Sequence, residues 1–255
     1  GNQIVKRYFS LIQKSLLDEK PDIFIWPEAA FPYSIPMEQK DWQRFGLRIA
    51  TGVENIVGAV SFKLEGKNRV LGNTAFLVDK NMKTKGVFHK EHLVPFGEYV
   101  PFPDWVPIRK IVTDIGSFQP GYGQKPLNTS IGKMGVLICY EGVFPEISSR
   151  HVLNGATVLA NLTNDAWFGV SSGPFQHFAA AQLRAVEEGI PLIRVANTGI
   201  TGIVDSYGRV IVQTGLNEEA VIDSALPSYL EEPTWYGQHG NLTFLIIALF
   251  LIAMS

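Results

Sequence analysis

Cysteine is nearly absent: among 255 residues there is one, Cys139. A single thiol cannot close an internal disulfide, so no cross-link staples the fold, and cysteine usage does not report a redox compartment. Charge is also scarce. Charged side chains make up 18% of the chain and the net charge is −2. The basic residues are dispersed rather than striped, so there is no footprint for a nucleic acid partner. Low-complexity tracts and short-period repeats are missing, which leaves an ordinary globular domain. No phosphate-binding loop, dinucleotide fingerprint or G-x-S-x-G elbow occurs. Of the five histidines only His89 and His92 are close, and an H-x-x-H pair without further ligands is a poor zinc signal. The expectation is no metal and no nucleotide cofactor.

What is present is apolar and alternating. Hydrophobic residues make up 46% of the chain, and its length suits one α/β domain with a large core. Ile4, Val5, Tyr8, Leu11, Ile12 and Leu16 recur at helical spacing. "DIFIWPE" reads as a buried strand stopped by Pro27, with Glu28 at its end. "RIATGVENIVGAVSF" and "NTAFLVD" read as strands joined by the polar hairpin "LEGKNRVLG". "GKMGVLICYE" and "ATVLANLTND" follow as buried strands, with a helical stretch around Ile147–Asn154 between them. "GPFQHFAAAQLRAVEEG" has a proline for its first turn and a glycine for its C-cap. "IPLIRVAN", "TGIVDSYGRVI" and "EEAVIDSAL" complete the predicted strands. Strands with interspersed helices predict a sheet-rich α/β domain whose helices cover the outer faces.

Two segments break this pattern. From Leu242 to the last residue the chain is apolar and uncharged. The run is shorter than the ~20 residues a spanning helix needs. We read it as the beginning of a transmembrane helix, because a soluble tail rarely lacks every charge over such a run; a C-terminal helix docked on the domain is the alternative. The segment from His92 to Gly123 is rich in proline, glycine and aromatics and has no clean period. A loop of that length without regular structure is usually functional, and this one is expected to wrap over a pocket. Beside a bilayer, Phe102, Trp105, Val106, Ile108 and Phe118 would suit the lipid interface; a satellite hydrophobic cluster under the loop is the other reading.

Three polar residues end apolar strands or follow them closely: Glu28, Lys90 and Cys139. Strand ends are where α/β sheets aim side chains into one crevice. A thiol becomes a nucleophile when a base takes its proton, and a buried carboxylate can serve as that base. An ammonium can stabilise the oxyanion formed on the attacked carbonyl. Glu, Lys and Cys thus form a complete set for acyl transfer, although any chain this long contains such residues somewhere.

"WPE", the lysine of "HKEHLVPFGE" and "CYE", in that order, resemble the Glu–Lys–Cys triad of the nitrilase, or carbon–nitrogen hydrolase, superfamily. The longer strings "KEHLVPFGEYVP", "ICYEGVFPE", "NDAWFG", "GPFQHF" and "NTGITGIVDSYG" resemble the catalytic domain of the apolipoprotein N-acyltransferase family. The resemblance runs from about Asp22 to Gly208. It implies a nitrilase-like α-β-β-α sandwich over residues 1–240 and the start of a transmembrane helix at 241–255. It also implies membrane helices on either side of the domain, and an opening strand ahead of the first helix. Carried over by residue, Cys139 would hold the acyl chain as a thioester and Glu28 would be the general base. Lys90 would stabilise the oxyanion together with the backbone N–H after Cys139. Glu98 would line the site, Tyr140 and Glu141 would hold the nucleophile turn, and Trp167 would shape the substrate pocket unless it is a core aromatic. The implied partners are a phospholipid donor, a diacylglyceryl-apolipoprotein acceptor and the membrane. The implied location is the periplasmic side of the bacterial inner membrane. A soluble amidase or nitrilase with the same triad, and an inactive domain that binds lipid-modified proteins, are the competing functions.

Overall fold

The computed structural model describes residues 2–18, 20–43, 49–101, 118–123 and 125–254. The first periodic segment forms helix α1 (Asn2–Asp18). Strands β1 (Ile23–Ile25) and β2 (Ile35–Pro36) precede the long hairpin of β3 (Glu54–Glu65) and β4 (Asn68–Val78), and β5 (Thr84–His89) follows. Then come β6 (Leu127–Thr129), β7 (Gly132–Ile138), helix α2 (Pro145–Leu153) and β8 (Val158–Asn164). Helix α3 (Gly173–Glu188) leads into β9 (Leu192–Asn197), β10 (Gly202–Val204) and β11 (Val210–Gln213). Helices α4 (Trp235–His239) and α5 (Leu242–Met254) end the described chain.

Among the described residues these strands make two sheets. One has the order β1-β3-β4-β5, with β2 also on β3; the other runs β11-β10-β9-β8-β7-β6. β7, β8 and β9 are parallel, so their crossovers are the helices α2 and α3. Both faces of each sheet are buried, because successive side chains point to opposite sides of a strand. Ile56, Ala75, Leu77 and Phe88 of the first sheet pack against Met134, Val136, Ile138, Val158, Ala160 and Leu162 of the second. The outer residues Val57, Ala59, Phe76 and Val78 pack with Ile12, Val5 and Tyr8 of α1. On the far side Leu137, Leu159 and Leu192 pack with Phe178, Ala181 and Ala185 of α3. The layers are helix, sheet, sheet, helix.

Most predicted elements are found, with shifted ends. The polar stretch expected as a loop belongs mainly to the hairpin: Glu65 pairs with Asn68, so the turn is only Gly66–Lys67, with Gly66 at φ 63°. α3 has Pro174 in its first turn, and its C-cap Gly189 adopts φ 69°. The predicted strand "EEAVIDSAL" is not one. Residues 218–226 form no regular element but line one side of a groove of about 610 Å³, whose other side includes Ile23 and Ile25 of β1. Alternating side chains supply a sheet face, but a strand also needs a hydrogen-bonded neighbour, and among the described residues no strand pairs with this segment.

α5 is apolar all round, and its large side chains from Leu242 to Met254 are exposed. At 13 residues it extends roughly 20 Å, short of the ~30 Å hydrocarbon core. Among the described residues no helix is long and apolar enough to cross a membrane. Of the apolar loop residues expected at a lipid interface, Phe102, Trp105, Val106 and Ile108 lie outside the described residues. Phe118 is half-buried and bridges Leu71 of β4.

Candidate active site

Each predicted polar residue stands where a strand stops. The ladder of β1 continues through Trp26, whose N–H donates to Ile56 O at 2.9 Å, and Ala29 then turns the chain at φ 49°. Glu28 projects from this bend. Gly58 of β3 lies directly beneath it, and a Cβ there would sit 2.2 Å from Pro27 O, so only glycine permits the approach. Lys90 follows β5 and is anchored by its N–H to Asn73 O at 2.8 Å. Cys139 follows β7 and opens a 3-10 turn, Cys139–Val143, at φ 53°. A non-glycine residue reaches that region only where its surroundings over-determine it.

The side chains converge. Lys90 Nζ lies 3.7 Å from Glu28 Oε1 and 2.9 Å from Glu98 Oε2. Asn73 Nδ2 donates to Glu28 Oε1 at 2.5 Å and reaches Glu98 Oε1 at 3.1 Å. The second oxygen of Glu28 accepts from Asn164 N–H at 2.8 Å. The Cys139 thiol feels Glu28, Lys90, the Thr163 hydroxyl and the Asn164 N–H, which places the sulfur beside this cluster. Glu28, Lys90 and Cys139 are 6%, 1% and 8% exposed, so bulk water scarcely reaches them.

Their electrostatics suit proton transfer. Burial, then the negative charge of Glu28, pushes the Cys139 thiol up to about 12, against the pull of Lys90, Thr163 and Asn164. The resting site therefore holds a thiol, not a thiolate. Burial also raises the carboxyl of Glu28, with the Lys90 charge opposing and Glu98 assisting. A carboxylate with raised proton affinity is a better base. Burial works against the Lys90 charge, but Glu28, Cys139 and Glu98 outweigh it and hold the ammonium above its ordinary range. The arrangement offers a neutral nucleophile, a base beside it, and a fixed cation, all three buried.

Glu141 braces the site. Its Oε1 accepts from the N–H groups of Glu91 at 2.7 Å and His92 at 3.0 Å, and its Oε2 from Ile138 N–H at 2.7 Å. It thus ties the end of β7 to the chain just after Lys90. Burial pushes its carboxyl up to about 7 against these three donors and the Lys90 charge. Tyr140 is half-buried and packs edge-on against Phe144, whose ring stacks on His92 at 3.9 Å. Trp167 is 80% exposed, so it is not a core aromatic. His89 bonds Thr74 Oγ1 at 2.9 Å while His92 stacks on Phe144, so the two rings have separate partners.

Several site residues are not evident from the chain alone. Asn73 joins Glu28 to Glu98; the available signal is an amide in an otherwise buried strand. Asp165, His177, Arg194 and Asn161 form a buried polar cluster behind Cys139. Their signal is a charge in each of the apolar strings "IPLIRVAN" and "LANLTND".

Two comparisons bear on sequence and one on fold. A Geobacter metallireducens protein described as apolipoprotein N-acyltransferase is 39% identical over 242 residues, covering 94% of this chain and 46% of that protein. A Rickettsia bellii protein of the same description is 40% identical over 238 residues, 92% of this chain and 47% of the relative. The chain spans about half the length of these curated relatives. Nit3 of Saccharomyces cerevisiae, a member of branch 10 of the nitrilase superfamily, superposes with a TM-score of 0.64 at 20% identity, over 85% of this chain and 81% of that one. The carbon–nitrogen hydrolase model matches residues 10–233, most of the sequence, and the chain belongs to the carbon–nitrogen hydrolase family.

Proposed function

We propose that this chain is the catalytic domain of an apolipoprotein N-acyltransferase. It would move an acyl chain from a phospholipid, through a thioester on Cys139, to the α-amino group of a lipoprotein's N-terminal diacylglyceryl-cysteine. The observation that carries the proposal is the meeting of Glu28, Lys90 and Cys139 in one buried site. The similarity to curated proteins of that description supports the choice of acceptor over water.

Glu28 takes the thiol proton as Cys139 Sγ attacks the ester carbonyl. The developing oxyanion is met by Lys90 and by the Tyr140 N–H. Collapse breaks the ester C–O bond, the lysophospholipid leaves with the proton from Glu28, and the acyl group stays on sulfur. The neutral α-amine then attacks the thioester and loses its proton to Glu28. The C–S bond breaks and Glu28 reprotonates the sulfur. Glu98 and Asn73 hold Lys90 and Glu28 in register, Glu141 holds the turn, and the exposed Trp167 borders the substrate entrance. Burial protects the thioester from water between the two halves. The exposed apolar α5 would carry residues 241–255 into the inner membrane, with the domain on its periplasmic side.

Incubation of the full-length protein with phospholipid vesicles alone tests the proposal. Mass spectrometry should find one acyl chain on the peptide holding Cys139, and none in Cys139→Ala. No adduct, combined with release of ammonia from a small amide, would replace acyl transfer by hydrolysis.

A further inference from the structure

Behind the sulfur lies a polar cluster that the triad chemistry does not use. His177 on α3 and Asn161 on β8 both donate to the carbonyl oxygen of Cys139, through Nε2 at 3.1 Å and Nδ2 at 3.3 Å. A carbonyl only accepts, so His177 Nε2 carries a proton. The other ring nitrogen, Nδ1, lies 2.9 Å from Asp165 Oδ1. Asp165 Oδ2 accepts from Arg194 Nη2 at 2.8 Å, which also brings that nitrogen to 3.2 Å from Nδ1. Arg194 Nη1 donates to Asn161 Oδ1, and this orients the Asn161 amide with its NH₂ toward Leu137 O, at 3.0 Å, and Cys139 O. All four side chains are buried.

We infer that His177 is a positioning residue of the oxyanion site, clamping the Cys139–Tyr140 peptide with the help of Asn161 so that the Tyr140 N–H stays aimed at the oxyanion. The inference rests on the acyl-enzyme reading of Glu28, Lys90 and Cys139. A peptide unit is planar and trans, so its C=O and N–H point in opposite directions, and fixing one end fixes the other. The peptide follows a residue at φ 53°, which relaxes toward commoner dihedrals unless it is held. Donation into the carbonyl also polarises the amide and strengthens its N–H as a donor. Asp165 and Arg194 hold the imidazole from behind. The Asp165–Arg194 ion pair and its hydrogen bonds offset the cost of burying the two charges, and through His177 and Asn161 the cluster reaches Cys139 O.

The test uses two electrophiles on the full-length protein at one pH. p-Nitrophenyl acetate acylates Cys139 through an oxyanion; iodoacetamide alkylates the same sulfur without one. The readout is the ratio of the two rate constants. A variant that only restricts access to the sulfur lowers both rate constants together, and Glu28, on which the two reactions depend differently, is the same in every variant compared. His177→Asn keeps a group near Asp165 but loses the donor to Cys139 O; the ratio should fall about 10- to 100-fold, less than the ~10²–10³ of an outright lost oxyanion donor. His177→Gln places an amide nitrogen where Nε2 stood, and its ratio should stay within about threefold of wild type. Asn161→Asp, which turns a second donor into an acceptor but still pairs with Arg194, should lower the ratio too, and it stands in if His177→Asn does not fold. Unchanged ratios in both donor-loss variants, or equal falls in the Asn and Gln variants, would overturn the clamp. Neither electrophile is a phospholipid, so failure of the clamp is separable from failure of the proposed function.

Discussion

Replacing Glu28 by glutamine should move two reactions of Cys139 in opposite directions. The thiol stands at about 12, up from an ordinary 9.0, and after burial the largest cause is the neighbouring Glu28 carboxylate. That rise corresponds to roughly 4 kcal/mol and to about a thousandfold less thiolate than an ordinary cysteine holds at neutral pH. Alkylation by iodoacetamide depends on that thiolate, so the wild-type protein should react very slowly at pH 7 despite a complete triad. In Glu28→Gln the opposing charge is gone while Lys90 stays, the thiol falls toward its ordinary value, and alkylation accelerates. Acylation by an ester should slow by about 10²- to 10⁴-fold, because proton removal in the transition state has lost its base. Both rates are read from the mass of the Cys139 peptide over time. Parallel falls in the two rates, or wild-type alkylation as fast as that of a free thiol, would refute the assignment of Glu28 as base and of burial as the brake on the sulfur.

Three further perturbations separate the remaining roles. Lys90→Met should cut ester acylation by about 10²–10³-fold and also lower Tm, since Glu28 and Glu98 would then share a buried site with only Asn73 between them; a variant with normal acylation removes Lys90 from the oxyanion. Glu141→Gln turns an oxygen facing backbone N–H groups into a donor, so urea titration should show a loss of ~2–4 kcal/mol; a smaller change would mean that the brace between β7 and the chain after Lys90 is dispensable. His151 is buried against Val136 O, and burial lowers its imidazole to about 4 despite that hydrogen bond. A depressed imidazole stabilises the fold fully above its unfolded value of 6.5 and loses that contribution as the pH falls toward 4, roughly 3 kcal/mol in all. Stability between pH 6.5 and 4 should fall less steeply in His151→Gln, and identical slopes would locate the acid sensitivity elsewhere.

Glu28, Lys90 and Cys139 were legible as candidates because each ends an apolar strand or follows one closely. A strand end often carries a polar residue, but one that stays buried needs a partner, and Glu28, Lys90 and Cys139 are all buried. Asn73 was less legible, since an amide at the start of "NTAFLVD" also reads as a strand boundary. His177 was harder still. A lone histidine on an apolar helix face looks like a satisfied core residue, and its partner is a backbone carbonyl 38 positions away. Trp167 shows the reverse failure: its string identified a family, yet whether the ring was buried or exposed depended on how the short turn after β8 left the sheet. The strand misread at 218–226 failed for a cooperative reason, since pairing belongs to two segments and the periodicity of one cannot supply the other.

Local chemistry is written along the chain. The apolar periods, the proline and glycine punctuation of α3, and the identity of each reactive group all follow from side chains and their neighbours in sequence. The tertiary fold decided which of these groups meet and in what protonation state. Two sheets stacked face to face bring the ends of β1, β5 and β7 to one place, and burial there drives the thiol, the carboxyl and the ammonium away from their ordinary proton affinities. The shift of the thiol depends on lost water and on charges 111 and 49 positions away, Glu28 and Lys90, and only a packed structure can impose either.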